Sequence, residues 1–80
     1  MAERSAAHAA LGRAVRDLRV DRRISQEALG DLSGMDRTYV GGIERGERNP
    51  TYQTIRRLCE ALGISSSELI ARAEALERRR

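Results

Sequence analysis

Apolar positions recur every three or four residues along this chain, and Gly, Ser, Asp or Pro breaks divide the rhythm into five segments. Leu11, Val15 and Leu18 form the first stripe, in an Ala-rich stretch from Ala6 to about Arg22, which predicts an amphipathic helix. Ser5 is a candidate cap for it, and residues 1–5 read as a frayed tail. Ser25 is the next N-cap, with Gln26 and Glu27 opening a short second helix; a carboxylate there suits the positive end of the helix dipole. Leu29 and Leu32, three apart, are expected to share its inner face. Ser33-Gly34-Met35 follows, with Gly34 supplying the left-handed residue of a short helix–helix turn. Asp36 caps a third helix whose buried edge is Val40 and Ile43, which leaves Arg37, Thr38, Tyr39, Gly42 and Arg45 outward.

After the loop Gly46-Glu47-Arg48-Asn49-Pro50, Thr51 caps a fourth helix with Ile55, Leu58, Cys59 and Leu62 at i, i+3, i+4, i+7. Gly63 ends it. Ser65-Ser66-Ser67-Glu68 reads as a capping box for a fifth helix carrying Leu69, Ile70, Ala73 and Leu76, and Arg78, Arg79 and Arg80 suit its negative end. The fold class is therefore all-α, with five helices in one domain over residues 6–80. Helices two and three are too short to stand alone, since isolated helices below about 12–15 residues are marginal in water. The first, fourth and fifth are expected to form the platform that fixes their angle.

Composition supports a small helical bundle. The chain has 80 residues, 40% apolar, with no Phe or Trp and a single Pro. A single Cys excludes an internal disulfide and fits a reducing cytoplasm; at position 59 it reads as a small core residue. No apolar run approaches the roughly 18 residues of a membrane span, and no signal-peptide apolar region precedes the first helix. Net charge is +3, and all fifteen basic residues are Arg. Arg offers a planar fork for phosphates and guanine edges, although a GC-rich genome would give the same bias. His8 has no neighbours at metal-ligand spacing and reads as a surface residue. With no nucleophile–base pair, metal cluster or phosphate-binding Gly loop, neither an enzyme nor a cofactor is expected.

The string from Ile24 to Thr51, ISQEALGDLSGMDRTYVGGIERGERNPT, resembles the core of the Cro and phage-repressor-like family, also called the XRE family. Ile24-Ser25-Gln26-Glu27, Leu29, Gly34, Ile43-Glu44-Arg45-Gly46 and Asn49-Pro50 stand where that pattern wants them, and the resemblance runs from about Leu11 to Ile70. It implies a lambda-repressor-like fold with a helix-turn-helix over residues 25–45, the second helix of the motif lying in the major groove of DNA. The stretch DRTYVGGIERGERNPT is also similar to controller proteins of restriction–modification systems.

Carried over position by position, the resemblance places Arg37, Thr38 and Gly42 at base-facing sites, with Arg37 suited to guanine. Gln26, Tyr39, Arg45, Arg48 and Asn49 fall at phosphate-contact positions, with plain solvent exposure the alternative for Tyr39 and Arg48. Related proteins pair Glu44 with a first-helix arginine, here Arg19, so both are expected to be structural, as is Gly34. Gly30 replaces the family's usual Ala, and either is expected to fit. Gly42 stands where a longer side chain is common; Gly41 and Gly42 together cost the helix roughly 2 kcal/mol against Ala. Close packing on DNA and ordering on binding are both consistent with that pair.

The expected function is a sequence-specific transcriptional regulator in the cytoplasm, binding double-stranded DNA at an inverted repeat. One such domain buries too little DNA surface for tight binding, so a homodimer is expected, with Leu69, Ile70, Ala73 and Leu76 as its interface. Two alternatives stand beside it. One is an antitoxin-like regulator whose partner is a toxin protein held by Leu32 and the fifth helix; the other is a protein-interaction module without DNA binding.

Overall fold

Helix α1 (Ala6–Asp21) packs against both α5 (Ser66–Arg78) and α3 (Arg37–Glu44). The computed structural model describes residues 5–79; the expected tail therefore lies outside the described residues except for Ser5, and so does Arg80. Ser5 caps α1, its Oγ accepting from the His8 amide at 3.0 Å. The buried stripe of α1 is Ala10, Ala14, Val15 and Leu18, with Gly12 on the same side. At its C-terminal end the Arg22 guanidinium donates from Nε to the Leu62 carbonyl, tying α1 to the last turn of α4 (Tyr52–Leu62).

Helix α2 (Gln26–Ser33) packs on α3 and α4. Ser25 Oγ accepts from the Ala28 amide at 2.9 Å, and the chain reverses at Gly34, whose φ is 74°. The Met35 amide returns to the Gly30 carbonyl at 2.8 Å. The inner face of α2 is Leu29, Gly30 and Ser33, at i, i+1 and i+4. That rolls Leu32 outward, and it is 64% exposed, so Leu29 and Leu32 do not share a buried face. A second expectation also changes. A Cβ at position 30 would sit 2.5 Å from the Met35 carbonyl oxygen, so Ala cannot replace Gly30 unless the turn moves.

Caps define the remaining helices. Asp36 accepts from the Thr38 amide at 2.9 Å, Thr51 from Thr54 at 3.1 Å and Ser65 from Glu68 at 3.1 Å. The Glu68 carboxylate reaches Arg72 on its own helix, at 3.5 Å. The core joins all five helices through Val15, Leu18, Leu29, Val40, Ile43, Leu58, Cys59, Leu62 and Leu69. Burial pushes the Cys59 thiol up, as suits a core residue. Within the platform α1 and α5 make the broadest contact, while α4 serves chiefly to back α2.

Leu69 and Ala73 are 0% and 7% exposed, packed in the chain's own core. The expectation that Leu69, Ile70, Ala73 and Leu76 jointly offer a face to a second copy is corrected by that packing: α1 already covers it. Only Ile70, 38% exposed, and the part-buried edge of Leu76 remain on the outside.

The turn supplies a test of local physics. A Cβ at Gly34 would meet nothing within 4 Å, so any cost of substitution comes from the backbone conformation rather than from space. Gly34→Val should lose more than about 1 kcal/mol in thermal melts, because a β-branched residue resists positive φ. Gly34→Asn should lose clearly less, since Asn tolerates the left-handed region. Equal losses from the two would contradict this origin.

Candidate nucleic-acid interface

The inward roll of α3 is set by Val40 and Ile43, both fully buried, and its start by the Asp36 cap. Arg37 and Thr38 therefore project from its first turn into solvent. Among the described residues, no hydrogen bond or ion pair engages the Arg37 guanidinium. An exposed Arg and Thr at the start of a rigidly seated helix can donate to, or pack against, groups of a groove wide enough to admit a helix.

The seat of α3 is a buried charge cluster. Glu44, 8% exposed, accepts from Arg19 Nε at 2.7 Å and Nη2 at 3.1 Å, and from Gln26 Nε2 at 2.9 Å. Arg19 also donates from Nη1 to the Ile24 carbonyl at 2.8 Å. One carboxylate thus links α1, α2 and α3. The fork-to-carboxylate geometry is the strong form of such a pair. The expected Arg19–Glu44 tie is present. Gln26 is turned differently from expectation: one amide hydrogen is committed to Glu44, which leaves the other, and the free amides of the first turn of α2, for an anion.

Gly42 is not the open base-facing position expected for it. It is buried beneath Arg48: a Cβ there would lie 2.8 Å from Arg48 Cγ and 3.2 Å from Nε. The Arg48 guanidinium then sits over the ring of Tyr39, 5.8 Å from its centroid. Gly41 is covered likewise, by Arg45 Nη1 and Gln26 Oε1 at 3.0 and 3.3 Å from a Cβ position. The Gly pair is thus occupied by side chains of the chain itself. Arg45 pairs with Glu47 at 3.1 Å, both substantially exposed, an interaction worth little in water and easily exchanged for a phosphate. Asn49 is exposed in the loop after α3.

The structure thus brings together Arg37, Thr38, Tyr39, Arg45 and Arg48 on and beside α3, with Gln26 against the same helix. It separates them from Leu69, Ile70, Ala73 and Leu76 on α5. Sequence reasoning missed Gly12, which lets α1 cross α3 at backbone contact: a Cβ there would be 2.2 Å from the Ile43 carbonyl oxygen. A Gly beside the apolar stripe of an Ala-rich helix was the available signal. Among the described residues no group of three His, Cys, Asp or Glu could hold a metal, and no helix is long and apolar enough to cross a membrane.

Residues 15–69 match the model of a family described as Helix-turn-helix. The control protein C.SmaI of Serratia marcescens is 45% identical over 58 residues, 72% of this chain and 69% of that protein. The crystal structure of the restriction-modification controller protein C.AhdI from Aeromonas hydrophila superposes with a TM-score of 0.80 at 46% identity, covering 81% of this chain and 98% of that one. The controller protein C.Esp1396I, solved as a tetramer in complex with its natural 35 base-pair operator, gives a TM-score of 0.84 at 26% identity, over 91% of this chain and 96% of that one.

Proposed function

The chain belongs to this helix-turn-helix family, and on that premise we propose that it is a sequence-specific DNA-binding transcriptional regulator of the restriction–modification controller type. It binds an inverted-repeat operator as a homodimer, each copy placing α3 in the major groove. The observation that carries this reading is the first turn of α3, where Arg37 and Thr38 stand exposed on a helix whose other side is locked by the core and by Glu44. A rigid seat lets side chains report base identity rather than merely follow charge.

Arg37 and Thr38 then meet base edges, while Arg45, Arg48, Tyr39, Asn49 and the free amide hydrogen of Gln26 meet phosphates. Arg19, Glu44 and Gly34 hold the motif in shape. Residues 6–80 act as one domain. The two copies present α3 about 34 Å apart, one turn of DNA. Ile70 and the edge of Leu76 contribute to their contact. The protein works in the bacterial cytoplasm, on the nucleoid when bound. An antitoxin-like surface built from Leu32 and α5 has little support, because Leu69 and Ala73 are in the core and a lone exposed leucine is ordinary on a protein surface.

Reading and positioning separate experimentally. Arg37→Ala should cost about 1–3 kcal/mol on the preferred operator and flatten preference at one base pair per half-site. Arg45→Ala should weaken all duplexes alike and make the log–log salt slope shallower by about one for each phosphate it no longer neutralises. Affinities on the preferred site, single-base variants and random duplex at several salt concentrations check both. If Arg37→Ala weakened every duplex equally while Arg45→Ala changed base preference, the assigned roll of α3 would be wrong.

A further inference from the structure

Gly42 has no side chain to offer DNA, yet its place on α3 is filled. The aliphatic stem of Arg48 lies across it, close enough that a Cβ would meet Arg48 Cγ at 2.8 Å, Nε at 3.2 Å and Cδ at 3.6 Å. The guanidinium beyond that stem rests over the Tyr39 ring at 5.8 Å. Arg48 comes from the loop after α3, and an exposed arginine there would ordinarily sample many rotamers, and freezing them on binding weakens the contact. The bare helix surface at Gly42 and the half-buried ring of Tyr39 together make a berth for it.

From this packing we propose that Gly42 is a positioning residue: it keeps Arg48 laid along the outer face of α3, aimed at the DNA backbone before DNA arrives. The inference rests on the DNA-binding reading above and goes beyond it, because it assigns to a residue without a side chain a role in affinity exerted through another residue. It also gives the Gly a reason to stand inside an eight-residue helix, where Ala would be the better helix former. The obstruction raised by a Cβ is the stem of Arg48 and not backbone, so Gly42→Ala turns the whole Arg48 side chain away about its χ1 and leaves the helix intact.

The two contributions therefore move in opposite directions. Gly42→Ala should melt at the wild-type temperature or a few degrees above it, since Ala improves helix propensity. Its affinity for operator and for random duplex should fall together, by roughly threefold to tenfold, the range set by the cost of ordering one long side chain on binding. Its salt slope should become shallower, toward that of Arg48→Ala. In the Arg48→Ala background, adding Gly42→Ala should change affinity by less than about twofold, because the berth then has nothing to hold. The measurement is a double-mutant cycle on the full chain, with affinities at several salt concentrations and a melt for each variant. Multiplicative losses in the double variant would mean that position 42 itself meets DNA, which overturns the proposal. So would a Gly42→Ala protein that binds as wild type does. Wild-type protein that binds no duplex even at low salt would overturn the DNA-binding reading itself, and this inference with it.

Discussion

Gly12→Ala should destabilise the chain by about 3 kcal/mol or more, a large share of the roughly 4–12 kcal/mol expected for 80 residues. The sign is the informative part. On helix propensity alone, Ala in place of Gly inside α1 gains about 1 kcal/mol. Against this, the new Cβ would stand 2.2 Å from the Ile43 carbonyl oxygen, 2.6 Å from that of Glu44 and 2.8 Å from the Glu44 carbonyl carbon. Ordinary carbon–oxygen contacts begin at about 3.3 Å, so the two helices must part by about 1 Å. Both sides of the clash are backbone, and neither can swing away as a side chain would. Separation of α1 from α3 would also loosen the Arg19–Glu44 tie at the same crossing. Gly12→Val should be worse, and should leave little folded protein at 37 °C. Urea denaturation checks this; a Gly12→Ala midpoint at or above wild type would mean that the helices do not cross at backbone contact there.

Arg19→Ala is the second large expected loss, about 3–5 kcal/mol, because it strands a buried carboxylate. The Glu44 side chain is 2% exposed and would keep only the Gln26 amide as a donor. Glu44→Ala should cost somewhat less, since the Arg19 head is less deeply buried and its stem can carry it toward water. The pair is coupled, so Arg19→Ala with Glu44→Ala should lose clearly less than the two single replacements summed. Denaturation of the three variants gives the coupling directly. Simple additivity would show that the pair is a surface-like contact despite its burial. Neither residue faces the proposed DNA surface, so a loss of affinity in the folded variants reports a shift of α3 or of the Gln26 amide that Glu44 holds.

The five helices were legible because their signals are local. Ser5, Ser25, Asp36, Thr51 and Ser65 each cap an amide two or three residues ahead, and that hydrogen bond needs nothing from the rest of the chain. The Arg19–Glu44 tie came from family resemblance, since 25 residues separate the partners. What stayed hidden depends on which face meets which. Periodicity put Leu69 and Ala73 on an apolar stripe, but only the packed chain shows that α1 consumes it. Leu32 has the spacing of a core residue and lies at the edge of an eight-residue helix whose centre is Leu29. Gly42 looked open because the side chain covering it belongs to a residue six positions later, beyond the end of the helix. Gln26 is held by the Glu44 carboxylate, a partner 18 residues away that its place at the start of α2 does not announce. At α1–α2, a left-handed Arg23 with φ 58° does what Gly does at the next turn, and nothing in its residue type announces it.

Whether α3 reads base sequence in a two-fold dimer is decided by selecting bound sites from a random duplex pool. Wild-type protein should enrich an inverted repeat whose half-sites lie about one helical turn apart, centre to centre. The same selection with Arg37→Ala should recover that repeat with preference lost at one base pair in each half. Enrichment of no motif, or of one unchanged by Arg37→Ala, would contradict base reading by α3.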